Sequence, residues 1–74
     1  MANDFEYEVY ANGNNLPETW WTLEGMHQAQ YKADLAVSKH GFARAEVREV
    51  RARAHEYINP YRSEPMYVVE GRAR

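Results

Sequence analysis

The hydrophobic period of the chain changes at Gly25, and that change restricts the fold more than any other feature. Before it, Phe5, Tyr7, Val9 and Ala11 alternate with Glu6, Glu8 and Tyr10. Alternation with aromatic and β-branched residues predicts a strand with one face buried. Asn12-Gly13-Asn14-Asn15 then predicts a turn. Leu16-Pro17 lengthens the connection, and Thr19-Trp20-Trp21-Thr22-Leu23 is a second β-prone run. The two runs read as an antiparallel hairpin with a loop somewhat longer than ideal. After Gly25, Met26, Ala29, Ala33, Ala36, Val37 and His40 recur at spacings of three and four. They share one face of a helix, and a face this rich in alanine implies close approach to a sheet. Lys39 falls in the expected last turn and Gly41 just after it. No Ser, Thr, Asp or Asn stands immediately before Met26 to mark the start.

Phe42 to Ala54 fits two patterns. As a strand it sets Ala43, Ala45 and Val47 against Phe42, Arg44, Glu46 and Arg48, with a bulge needed between Val47 and Val50. As a helix it aligns Val47, Val50, Ala54 and Tyr57. The strand is expected, because a helix ending at Gly41 returns the chain to the sheet by a short connection. His55 to Pro65 reads as a loop, with Asn59-Pro60 and Ser63-Glu64-Pro65 as breakers. Met66 to Glu70 is a last short strand ended by Gly71, and 72–74 is expected to fray. The expected fold is therefore α+β: one domain over 1–74, with a single sheet of about four strands in the order β-β-α-β-β and one helix on one face.

Composition narrows the function. The chain has 74 residues and no cysteine. That removes disulfide scaffolds, thiolate metal sites and cysteine nucleophiles, and a domain this small without disulfides is expected to be cytoplasmic. No window supplies the roughly 18–20 apolar residues of a membrane span. Met1-Ala2-Asn3-Asp4 does not read as a signal peptide. Charge is uneven: residues 1–31 hold five acidic and no basic residues, whereas 32–74 hold nine basic and six acidic. Such halves either neutralise each other across one sheet or offer opposite faces to a partner or a second copy.

No group of residues has the spacing of a catalytic centre. His27 and His40 would lie about 20 Å apart on one helix, and no HExxH pattern occurs. Glu6 and Glu8 share a strand face at about 7 Å, a separation that also occurs in glycosidases, but they fit better as a solvated face that discourages edge pairing. Gly13, Gly25, Gly41 and Gly71 stand apart at element ends and form no phosphate-binding loop. The chain is expected to be non-catalytic and to need no cofactor or metal.

Two features bear on binding. Neighbouring residues of a strand face opposite sides, so Trp20 and Trp21 must be split: one under the helix, the other on the open face beside Tyr10. An exposed Trp/Tyr patch is a characteristic interface anchor. Alternatively, both indoles open a longer helix starting near Pro17. The second feature is the run of Arg44, Arg48, Arg51 and Arg53 with Tyr57, Tyr61 and Arg62. Arg and Tyr suit phosphates and bases, while Glu46, Glu49 and Glu56 interleave and suit a salt-bridged face.

The pieces Phe5 to Ala11, and Gly41-Phe42 followed by Val47 to Arg51, resemble the small orphan proteins encoded in bacteriophage genomes, and more loosely the T7-type inhibitors of host RNA polymerase. The resemblance covers under a quarter of the chain. It implies an intracellular protein that acts by binding one host protein. The expected function is thus protein binding through Tyr10, Trp20 or Trp21, Arg44 and Arg48. RNA or single-stranded nucleic-acid binding through 44–62, and a homodimer through the open sheet face, are the alternatives.

Overall fold

A computed structural model describes residues 5–51 and 61–71. The chain runs β1 (Phe5–Gly13), β2 (Leu16–Leu23), α1 (Met26–Ser38), β3 (Arg44–Arg51), β4 (Tyr61–Arg62) and β5 (Tyr67–Glu70). β1 pairs antiparallel with β2 on one side and β3 on the other, and β4 and β5 both pair antiparallel with β3. The five segments thus fill four lanes. β2 and β3 run parallel, separated by β1, and α1 carries the chain across between them. The α+β architecture read from the sequence is the architecture found. The tail 72–74 and residues 52–60, including His55 and Tyr57, lie outside the described residues.

Period-two patterning divides the sheet as expected. Val9 stands opposite Val47 and Ala11 opposite Ala45, and all four are fully buried. Ala29, Ala33 and Ala36 of α1 are also fully buried. Alanine allows the helix backbone close to the sheet, while Tyr7, Trp21, Leu23, Met26, Val37, Tyr67 and Val69 form a partly buried rim. Phe42 closes the core with its ring edge-on to Trp21, centroids 6.2 Å apart. His40, expected on the helix face, is exposed beyond the helix end, because α1 stops at Ser38 and Lys39 caps it.

Three local expectations are corrected. The hairpin loop is short, not long: the turn is Asn14-Asn15, and Leu16-Pro17 already belong to β2. Both asparagines have positive φ, 58° and 63°, as a type I′ turn requires and as Asn tolerates. Pro17 fits because β2 is an edge strand among the described residues. Gly13 permits this corner, since at φ 99° an added Cβ would lie 2.4 Å from the Ala43 Cβ. Asn14 Nδ2 donates to the Gly41 carbonyl at 2.7 Å, tying the turn to the end of the helix connection. Secondly, β3 needs no bulge: its register with β1 is unbroken from Phe5↔Arg51 to Asn12↔Arg44. The irregularity sits in the fourth lane, where Ser63 to Met66 stand opposite Arg48 and Glu49. Thirdly, Tyr61–Arg62 is a strand where a loop was expected.

Candidate interaction face

The sheet face away from α1 carries no described segment. Alternation places Glu6, Glu8, Tyr10 and Asn12 of β1 on it, with Glu18, Trp20 and Thr22 of β2. β3 supplies Arg44, Glu46, Arg48 and Val50, and β5 supplies Val68 and Glu70. The two indoles are split across the sheet. Trp21 lies under the helix beside Phe42, with Lys32 Nζ 5.1 Å from its ring centroid, a cation–π contact. Trp20 projects from the open face and is 53% exposed. Its cross-strand neighbour is Tyr10, with ring centroids 5.1 Å apart and planes tilted by 41°. The longer helix beginning near Pro17 does not form.

The face also has a charged centre. Glu46 is only 4% exposed although it lies on the uncovered side. Arg44 and Arg48, two residues to either side on β3, both donate to its carboxylate. Arg44 Nε also lies 3.5 Å from Glu70, and Arg48 Nη1 donates to the Ser63 carbonyl at 3.4 Å. Burial pushes the Glu46 carboxyl up, but the two guanidinium groups outweigh it and hold its pKa below the ordinary value. Arg62 pairs with Glu8 at 3.1 Å. The Tyr10 hydroxyl donates to Glu18 at 2.5 Å, and that bond raises its pKa. Glu8, Tyr10, Trp20, Glu46, Arg48 and Arg62 line a shallow groove of about 530 Å³.

Tyr10, Trp20, Arg44 and Arg48 therefore share one face, and Trp21 faces away from it. Sequence reasoning missed the burial of Glu46 and the reach of Arg62 to Glu8. The Arg-x-Glu-x-Arg spacing showed that the first three shared a face, but Arg62 is 54 positions from Glu8, and only the fourth lane brings them together. Among the described ion pairs, Arg62–Glu8 alone joins the acidic first half to the basic second half.

The arginine run is not an open basic patch where it is described. Arg44, Arg48 and Arg62 each face a carboxylate, and Arg53 and Tyr57 lie outside the described residues. Among the described residues, no group of three His, Asp or Glu could hold a metal ion, and no helix is long and apolar enough to cross a membrane. Compared with protein-family models, curated proteins and solved structures, the chain matches none.

Proposed function

We propose that the chain is a non-catalytic protein-binding module that docks its partner on the open sheet face. The observation that carries this reading is the Tyr10–Trp20 stack, half in water beside the groove. An indole held by a cross-strand ring loses little conformational entropy on binding and offers a large apolar surface. The partner's chemistry follows from charge. The described residues of this face include Glu6, Glu8, Glu18, Glu46 and Glu70 against Arg44, Arg48 and Arg62, and those arginines already face carboxylates. The partner is therefore a protein surface with an apolar or aromatic anchor beside Lys or Arg. Arg44 and Arg48 serve mainly to hold Glu46 and present their aliphatic stems. The likeness to phage proteins directs the same reading to a host protein.

For the described arginine side chains of 44–62, those of Arg44, Arg48 and Arg62, the same balance disfavours nucleic acid, because phosphate binding needs cationic groups that are not already neutralised. Selection from a displayed peptide library, followed by resynthesis and NMR shift mapping, tests the reading. Expected are peptides combining an aromatic residue with Lys or Arg, shifting the Trp20 indole and weakened by Trp20→Ala. Acidic peptides, or shifts confined to the helix side, would refute it.

A further inference from the structure

The free edge of β2 points to a specific occupant. We propose that β2 pairs antiparallel with β2 of a second copy, centred on Trp20, joining two sheets into one of eight lanes. Among the described residues β2 has one strand neighbour, β1, so its other side presents unpaired backbone donors and acceptors. Natural edges are usually guarded by charge, proline or a bulge. Here Pro17, Glu18 and a register shift between Leu16 and Thr19 guard only the start, and Thr19 to Leu23 is an uncharged run of five residues in regular register with β1.

Symmetry and charge select the register. A two-fold axis normal to the sheet keeps both helices on one side, so residues on the same face must meet. The pairing is then centred on a residue, not between two. Centring on Trp21 would oppose Glu18 to Glu24. Centring on Thr19 would bring Trp20 against Glu18, which already accepts from Tyr10. Centring on Trp20 opposes Glu18 to Thr22 and Thr19 to Trp21, with no like charges facing. It also lays each exposed indole beside its mate, extending the stack to Tyr10–Trp20–Trp20–Tyr10 across the axis. A second copy, not an unrelated strand, fits because this segment complements itself along its length. The need is physical as well: five of the eight buried apolar residues described are alanines, a thin core for a chain of this size.

The absence of cysteine makes the test clean. Sedimentation of the wild-type chain up to about 1 mM should show a concentration-dependent dimer. Single substitutions Glu18→Cys, Thr19→Cys, Trp20→Cys, Trp21→Cys and Thr22→Cys are then oxidised alone and in tagged pairs. Trp20→Cys should cross-link with itself. Glu18→Cys should cross-link with Thr22→Cys about tenfold more than either does alone, because only the mixture brings the thiols together; this pair leaves Trp20 intact. A strict monomer overturns the proposal, as does self-cross-linking of Glu18→Cys equal to that of the mixture. So does a dimer cross-linked through Val68→Cys instead, which would place the contact on the open face. No partner is present in this experiment, so it stands or falls apart from the docking reading.

Discussion

Replacing Glu46 by Gln keeps the shape of the side chain and removes its charge. Glu46 is nearly buried, while its two arginine partners are 38% and 36% exposed at their side chains. A fully buried pair broken on one side costs about 3–5 kcal/mol. Water around both guanidinium groups lowers that figure, and Gln can still accept one hydrogen bond, so about 2–3 kcal/mol is expected. A chain this size has a total stability of about 4–11 kcal/mol, so the loss should lower Tm by about 10–20 °C. Urea melts followed by tryptophan fluorescence measure it. Glu70→Gln is the control: Glu70 is 70% exposed and 3.5 Å from Arg44, so its loss should stay below about 0.5 kcal/mol. Acid supplies the second arm. The folded Glu46 pKa is depressed, so its contribution is present above the unfolded carboxylate pKa and lost as pH falls through the folded value. The gap between wild type and Glu46→Gln should hold at neutral pH and close below about 4.3. A loss equal to that of Glu70→Gln, or a gap that ignores pH, refutes the clamp.

Trp20→Ala should cost less than about 1 kcal/mol, whereas Trp21→Ala, which empties the space beside Phe42, should cost about 2–4 kcal/mol in the same melts. Gly13→Ala forces a Cβ into the Ala43 Cβ at a positive φ and should destabilise by about 2 kcal/mol or more. Gly25 caps α1 with extended backbone and no side-chain bond, and the first turn holds no acidic residue. Gly25→Asp should therefore raise stability by about 0.5 kcal/mol, read as a higher urea midpoint.

Much of the fold was legible because local period and burial agree. Phe5 to Ala11 alternates, Ala29, Ala33 and Ala36 recur at helical spacing, and Val9 and Ala11 on the one element and the three alanines on the other are buried as their patterns name. The opposite placement of Trp20 and Trp21 followed from extended geometry alone. The failures lie where tertiary contact decides. Two asparagines take left-handed backbone because Gly13 gives the corner room and Asn14 finds the Gly41 carbonyl. Val50 breaks the alternation of β3 without a bulge because it is half-buried on the open face opposite Arg62. The burial of Glu46 was illegible because it depends on two arginines folding over it and on Tyr10 in the neighbouring strand. The arginine run left a cationic surface and a salt-bridged face both open; the interleaved Glu46 pointed to the second, while the pairing of Arg62 with Glu8 depends on residues far apart in sequence.

The kinked stretch from Ser63 to Met66 has a consequence for how large an assembly can grow. It breaks the far border of the sheet into pieces of two and four residues, whereas the register shift of β2 is confined to Leu16–Thr19 and leaves the run to Leu23 regular. In the proposed pair the two β2 borders meet and only the broken ones face outward. Strand addition of that kind would stop at a pair and not run on into a filament.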